Sequence, residues 1–348
     1  MTKSITFYGI IMLLAFGLSF VESHAQGFNI PTKTAGISFG NSPKFNGLRF
    51  NFIDKKLEEI NGVNITIWNP NDELATGTIN GLSIGLPMAY GSEYRNGVSW
   101  ALFGVGAEKD VNGISVGGLA VGSGRDLAGI QIGGLAAGSG YNLTGISVGG
   151  LAVGSGNNIQ GISLGGLAVG SGKNVEGISI GGLAVGAGND IRGLNLGGIA
   201  VGAGNNITGL NIGGIAVGAG GKVMGINIAG LAIGSGDRVE GINFSGLVIG
   251  APLVRGLNVA PIVGGQETNG FTVAPIYHLI KSDDEKKGFM KGVAISSFNN
   301  IKGNQRGLTI GILNIAHHLE GLQIGLINIA KSNRKGLKVL PLFNAPFH

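Results

Sequence analysis

The sequence predicts an all-β protein and, within that class, a parallel β-solenoid of about eleven 16-residue coils with irregular capping repeats at both ends. Glycine occupies 69 of the 348 positions, and a glycine inside a helix costs about 1 kcal/mol relative to alanine, which argues against long helices. Glycines recur every 16 residues from Gly81 to Gly241, a period too short for helical repeats. Apolar residues alternate within each unit at period two, as in strands.

The N-terminal segment, residues 1–25, has the pattern of a secretory signal peptide. Lys3 supplies a positive charge, residues 10–20 are an apolar run, and residues 23–25 read Ser-His-Ala, a small-x-small cleavage site. Residues 26–80 are predicted to be irregular repeats that cap the solenoid. Charged, irregular units at an open end hinder strand pairing with other chains.

The central region, residues 81–255, is predicted to form the regular coils. Positions within a unit are counted from the recurring glycine, so that Gly161 is position 1. Every charged residue between 113 and 240 lies at position 13, 14 or 16, which indicates one solvated turn per coil. Stacking such coils buries a continuous core.

The apolar residues of each unit form two pairs separated by a Gly-Gly dipeptide. In one unit the pairs are Ile162 with Leu164 and Leu167 with Val169. A single straight strand would send the two pairs to opposite faces. We therefore expect a corner at the Gly-Gly that directs both pairs into the core. Positions 3 and 8 are then expected to face solvent.

Position 3 carries serine in the earlier units, apart from Gln131, and asparagine in the later ones, which predicts a surface ladder. We interpret this row as a hydrogen-bonded side-chain ladder that stabilises the stack. The alternative is a flat array, repeating every ~4.8 Å, that binds a periodic partner such as a polysaccharide. The predicted ladder consists of Ser115, Ser147, Ser163, Ser179, Asn195, Asn211, Asn227 and Asn243.

The C-terminal quarter departs from the 16-residue period. Residues 256–306 are predicted to be irregular repeats with a charged loop at 281–291, and residues 307–348 to be 14-residue repeats that form a cap. The net charge of the chain is +5, and residues 256–348 carry 10 basic and 5 acidic side chains. This excess suits either solubilising loops or an acidic surface such as lipid head groups.

The alternative fold is an antiparallel outer-membrane β-barrel with one strand and turn per unit. The signal peptide and the 43% content of hydrophobic residues favour it. A lipid-facing strand alternates apolar and polar residues throughout, and barrels carry aromatic girdles. The Gly-Gly phase break and an aromatic content of 6% therefore favour the solenoid.

The sequence contains no convincing motif for catalysis, cofactor binding or metal binding. We therefore expect no enzyme and no catalytic, cofactor-binding or metal-binding residues. Gly170-Ser-Gly-Lys173 lacks the first glycine and the final Ser/Thr of a phosphate loop. His317 and His318 are adjacent, so on a strand they point to opposite faces. The chain has no cysteine.

Two sets of units resemble known families. Residues 321–330 read Gly-Leu-Gln-Ile-Gly-Leu-Ile-Asn-Ile-Ala and residues 340–344 read Leu-Pro-Leu-Phe-Asn. These segments resemble uncharacterised exported surface-repeat proteins of diderm bacteria, which implies an envelope location and no established activity. Units such as residues 151–157 more loosely resemble the head repeats of trimeric autotransporter adhesins, which implies a parallel β-roll that binds host matrix.

These observations lead us to expect a non-enzymatic, exported cell-envelope repeat protein that serves as a structural or adhesive surface element. The barrel alternative would make it a pore or scaffold. We expect a location at the cell surface or outer membrane of a diderm bacterium, or outside the cell. Envelope glycan, a lipid surface, host matrix and homo-oligomerisation remain open as interactions. Scattered aromatics such as Trp68 and Tyr141 form no base-stacking platform, so no nucleic acid is expected.

Overall fold

The computed structural model describes residues 27–68, 75–281 and 288–347. All the regular structure in these ranges is β-strand. None of the described residues belongs to a helix long and apolar enough to cross a membrane. The predicted signal peptide, residues 1–25, and residues 282–287 of the predicted charged loop lie outside the described residues.

The chain divides into two compact units, Met1–Gly118 and Leu119–His348, and each is a parallel β-solenoid. The prediction of a solenoid is confirmed, whereas the antiparallel alternative is wrong because the long strands of successive coils pair in parallel. About 17 turns are present, more than the eleven predicted. The irregular flanking segments form coils too, because their glycines stack in register on those of neighbouring coils.

The first unit stacks one long strand per coil and closes its N-terminal end with an antiparallel pair. In that pair β1 lies against β2, with Phe28 opposite Phe39. The later coils add a short second strand. The strands are β1 Phe28–Pro31, β2 Ala35–Phe39, β3 Lys44–Asn51, β4 Glu59–Thr66, β5 Thr78–Gly85, β6 Met88–Ala89, β7 Tyr94–Ala101, β8 Gly104–Ala107 and β9 Asp110–Gly117.

The second unit repeats a coil of two strands and two turns. A regular coil has an eight-residue strand at positions 14 to 5, a turn at positions 6 and 7, a four-residue strand at positions 8 to 11, and a turn at positions 12 and 13. Later coils are shorter, and β34 pairs antiparallel with β33 at the C-terminal end.

The strands of the second unit are β10 Ala120–Ser123, β11 Asp126–Gly133, β12 Ala136–Ser139, β13 Asn142–Gly149, β14 Ala152–Ser155, β15 Asn158–Gly165, β16 Ala168–Ser171, β17 Asn174–Gly181, β18 Ala184–Ala187, β19 Asp190–Gly197, β20 Ala200–Ala203, β21 Asn206–Gly213, β22 Ala216–Ala219, β23 Lys222–Ala229, β24 Ala232–Ser235, β25 Arg238–Ser245, β26 Val248–Gly250, β27 Leu253–Val259, β28 Ile262–Gly265, β29 Glu267–Val273, β30 Tyr277–Ile280, β31 Phe289–Ile295, β32 Phe298–Leu319, β33 Leu322–Ala330 and β34 Val339–Asn344.

The position 1 glycine is dictated by both backbone conformation and packing. Gly161 has φ of +119°, a region that side-chain-bearing residues rarely adopt. A Cβ atom on Gly161 would lie 2.2 Å from the carbonyl oxygen of Gly145 in the preceding coil. These two constraints recur from coil to coil and explain the 16-residue glycine period.

The core of a regular coil is narrow and draws on positions 15, 3, 5 and 9. Ile159 at position 15 is 0% exposed and Val169 at position 9 is 1% exposed. The predicted inward orientation is therefore right for Val169. It is wrong for Ile162, Leu164 and Leu167, of which Ile162 is 36% and Leu167 46% exposed.

The prediction failed for these three residues because it assigned the wrong alternate positions of the long strand to the core. Within the long strand, positions 15, 3 and 5 are buried, so positions 2 and 4 of the same strand face outward. The glycine-rich corner does exist, but it falls at positions 6 and 7, and the position 7 side chain projects from it.

Candidate functional site

The row at position 3 lies inside the solenoid, so its predicted surface orientation is wrong. Each predicted member is 0–1% exposed. Position 3 shares the inward phase of position 15 because both lie on one strand and are separated by an even number of residues. The buried residues are Ser115, Ser147, Ser163, Ser179, Asn195, Asn211, Asn227 and Asn243.

The asparagine half of this row forms the expected hydrogen-bonded ladder. The Nδ2 atom of Asn195 donates to Oδ1 of Asn211 at 2.9 Å, and Asn211 donates in the same way to Asn227 at 3.0 Å. Asn227 continues the chain to Asn243 at 2.9 Å, and Asn243 to Asn258 at 2.8 Å. Each inner amide is thereby both a donor and an acceptor along the stack.

The serine half of the row differs from the asparagine half. The Oγ atoms of Ser147, Ser163 and Ser179 are buried without a hydrogen-bond partner. A serine side chain is too short to reach the equivalent atom one coil away at ~4.8 Å spacing. The serines therefore fill the core as small residues.

Apolar side chains take the outward positions that the prediction gave to small polar ones. We call them the outer apolar face and define it as positions 2, 4 and 7 of the coils between residues 119 and 259. Position 2 runs from Ile130 to Leu257, position 4 from Ile132 to Val259, and position 7 from Leu119 to Leu247. Throughout these rows the side chains are Ile, Leu, Val or Phe.

The outer apolar face remains accessible even though its side chains stack on one another. Leu135, Leu151, Leu167 and Leu183 are each 46% exposed, and Leu231 is 51% exposed. Apolar side chains that stay in contact with water add little to the stability of a fold. Long exposed apolar surfaces of this kind mark interaction sites. The outer apolar face is therefore the candidate functional site.

Charged and polar side chains border this face at position 16, on the outward side of the same long strands. Arg192 lies 3.1 Å from Glu176 in the preceding coil, and a second nitrogen of Arg192 lies 3.0 Å from Asp190. Asn158 donates to Asn142 at 3.0 Å, and Asn174 to Asn158 at 3.0 Å, at neighbouring position 14. The border is thus ordered by contacts from coil to coil.

The short strands present a different surface made of alanine and glycine. Positions 8 and 10 face outward there, as at Ala168 and Gly170. A Cβ atom on Gly170 would meet only the Gly186 carbonyl oxygen, at 3.9 Å, an ordinary contact. The flatness of this surface is therefore not imposed by packing within the chain.

An outward asparagine ladder in the first unit was missed by the sequence reasoning. Asn61 donates to Asn46 at 2.8 Å, Asn80 to Asn61 at 2.8 Å, Asn96 to Asn80 at 2.9 Å, and Asn112 to Asn96 at 3.0 Å. The signal was present in the sequence, because an Asn-Gly dipeptide opens each of these units.

Buried charges occupy the interior of the first unit. The side chains of Arg49 and Asp54 are both fully buried and form an ion pair at 2.5 Å, and Asn64 accepts a further hydrogen bond from Arg49 at 2.7 Å. Burial lowers the pKa of Arg95 to about 10, against the opposing influence of the Asp54 charge. These groups lie in the core, where they cannot meet a substrate.

Among the described residues of the second unit, His278 is a fully buried titratable group. Burial lowers its pKa to about 4, although a hydrogen bond with Asn299 opposes the shift. Nδ1 lies 3.2 Å from Oδ1 of Asn299, and Nε2 lies 3.2 Å from Oγ1 of Thr268. This arrangement suits a neutral imidazole that donates to Asn299 and accepts from Thr268.

Metal-ligating side chains do not cluster in the part of the chain that the structure describes. Three or more His, Asp or Glu side chains never cluster there as a metal site would require. His317 instead lies 2.8 Å from the amine of Lys331. A shallow depression of about 400 Å³ continues the apolar surface at Val273, Ile295 and Ile310.

Fold and surface together define the class of this protein as a parallel β-solenoid repeat protein with an outward apolar face. No family model, no curated protein and no solved structure matches the chain.

Proposed function

We propose that the chain is a non-enzymatic, exported repeat protein that serves as a structural or adhesive element of a bacterial cell envelope. The observation that carries this proposal is the outer apolar face, which places three apolar residues per coil in contact with solvent. The repeat presents one chemical surface over and over, which suits binding to an extended surface rather than to one small molecule.

The energetics favour a binding role for this face. Burial of an Ile, Leu or Val side chain contributes about 1.5–3 kcal/mol when it is complete. The core already takes its apolar contribution from positions 9 and 15, as at Val169 and Ile159. The side chains at positions 2, 4 and 7 are partly exposed, so covering them with another surface would contribute further hydrophobic free energy to binding.

Export is supported by the sequence of the first 25 residues. Lys3, the apolar run at residues 10–20 and the small-x-small site at residues 23–25 form the pattern that export machineries recognise. The resemblance of residues 321–330 to surface-repeat proteins of diderm bacteria supports an envelope destination.

The test is envelope fractionation of the full chain expressed in a diderm bacterium. We expect the protein in the envelope fraction and, because hydrophobic contacts resist salt, retained after a wash in high salt. Replacing Leu151, Leu167 and Leu183 together by serine removes three exposed side chains of one row and should release the protein into the wash.

A matched control changes three turn residues of the same region to serine, the half-buried Asn157 and the exposed Lys173 and Asn189. That variant should remain in the envelope fraction. Recovery of the unchanged protein in the cytoplasm, or equal retention of both triple variants, would contradict the proposal.

A further inference from the structure

We propose that positions 2 and 4 of the outer apolar face of the second unit pair with the same positions of a second copy of this chain, the two copies running antiparallel. This rests on the proposed function in that it names the occupant of the long-strand part of that face. The partner follows from the order of charges along the position 16 row, from the matching period of the two copies, and from the size of the surface.

The position 16 row reads Glu176, Arg192, Thr208, Met224, Glu240, Arg255 along successive coils. Consider a two-fold axis parallel to the strands and midway between the coils of Thr208 and Met224. Rotation about this axis places each row opposite the same row of the second copy, with the order of the coils reversed, as in an isologous interface.

With this axis, every charge of the row between residues 176 and 255 faces its opposite, and Lys291 and Arg306 further along the row face the uncharged Thr144 and Ala128. Glu176 of one copy lies opposite Arg255 of the other, Arg192 lies opposite Glu240, and the two uncharged residues lie opposite each other. Shifting the register by one coil in either direction destroys the match, because it sets Glu176 against Glu240 or Arg192 against Arg255. Like charges placed opposite each other are strongly unfavourable at an interface.

The apolar rows match in the same register. At position 2, Ile178 faces Leu257, Leu194 faces Ile242 and Leu210 faces Ile226. A second copy also supplies the same ~4.8 Å repeat, so side chains of the two sheets can interdigitate along the whole stack at the usual ~10 Å sheet separation.

The size of the surface suits a stable dimer. The apolar rows continue beyond residue 259 through Phe271, Val293 and Leu308. Including these coils, twelve coils overlap and extend for about 58 Å at ~4.8 Å each, and positions 16 to 4 of the strand span about 13 Å, or roughly 750 Å² of flat area per copy. A standard interface buries about 800 Å² on each partner.

The experiment uses two full-length double variants that reverse different halves of the charge row. One carries Glu240→Arg with Arg255→Glu, and the other carries Glu176→Arg with Arg192→Glu. Each preserves an opposite-charge pair between adjacent coils, since Glu240 stacks on Arg255 and Glu176 on Arg192. Each alone, however, places like charges across the dimer, whereas one copy of each restores every opposite pair.

Sedimentation velocity measures the outcome. We expect a dimer for the unchanged chain, dimer dissociation constants at least tenfold higher for each double variant alone, and recovery to within about threefold of the unchanged chain in the equimolar mixture. Recovery in the mixture also shows that both variants fold.

Three results would overturn the self-pairing. They are a monomer for the unchanged chain up to about 100 µM, double variants that dimerise as well as the unchanged chain, and a mixture that stays monomeric. A monomer that floats with phosphatidylcholine vesicles would assign the face to lipid instead. Any of these results leaves the envelope retention test, which alters position 7, free to succeed or fail independently.

Discussion

Within one coil, two isoleucines three residues apart have opposite environments. Ile159 is completely buried, whereas Ile162 is 36% exposed on the outer apolar face. The difference arises from the phase of the strand, since positions 15 and 2 lie an odd number of residues apart. Residue type therefore does not reveal which side of this solenoid a side chain occupies.

Replacing Ile159 by alanine should lower the free energy of unfolding by about 2–5 kcal/mol, because it leaves a cavity in a core that has few apolar residues per coil. The matched change Ile162→Ala removes the same atoms from a partly solvated row and should cost less than about 1 kcal/mol. Urea unfolding followed by circular dichroism compares the two. Equal losses would contradict the orientation of the long strand.

His278 should make stability depend on pH. Its pKa in the folded chain is about 4, below the ordinary value of about 6.5 expected after unfolding. Between these values the unfolded chain binds the proton more tightly, so the contribution of His278 is fully present above pH 6.5 and lost as the pH falls to 4. The loss amounts to about 3 kcal/mol.

Urea midpoints of the unchanged chain and of His278→Gln between pH 7.5 and 4 measure this dependence. The variant should have the flatter profile. A slope that survives the loss of His278 would assign the titration to another group.

At the scale of the strand, the two halves of the position 3 row are chemically distinct. Asn211 accepts from Asn195 and donates to Asn227, so Asn211→Ala leaves polar atoms of both neighbours buried and unpaired. We expect a loss of about 2–4 kcal/mol, since each buried unpaired group costs about 1–3 kcal/mol.

Ser163→Ala provides the contrast, because the serine Oγ atom has no partner to lose. Its removal should leave the melting temperature unchanged or raise it slightly. Differential scanning calorimetry of both variants tests the ladder. If both substitutions lower the melting temperature equally, hydrogen bonding along the asparagine row is not what stabilises it.

The sequence predicts the coil and its hydrogen-bonded ladder but assigns the wrong side to the ladder. Hydrophobic periodicity shows that a segment is a strand, but it does not show which face of the strand is buried. The prediction assumed that the face with the apolar rows is the buried one. That assumption holds at Val169 and fails at Ile162, because a coil this narrow has room inside only for small residues between its few large ones. The outer apolar face could not be predicted for the same reason, since its residues were taken as the core.

At the scale of the second unit, the free energy of unfolding should behave as that of a one-dimensional stack of coils. Each coil contacts mainly the coils before and after it, and consecutive coils share the same register, as β13 with β15 and β15 with β17. Stability in such repeats is a sum of coil terms and neighbour terms. Whole coils are then exchangeable, whereas fractions of a coil are not.

Deletion of residues 145–160 removes one complete 16-residue coil and brings Gly161 onto Gly129, with both strands and both turns in register. We expect this variant to fold with the same β-sheet signal per residue in far-ultraviolet circular dichroism and a melting temperature only a few degrees lower. Deletion of residues 145–152 has half the length but sets a short strand beside a long one, so that buried positions meet outward positions. That variant should lose its cooperative melting transition or aggregate. If the 16-residue deletion is as damaging as the 8-residue deletion, the coils do not act as independent, interchangeable layers.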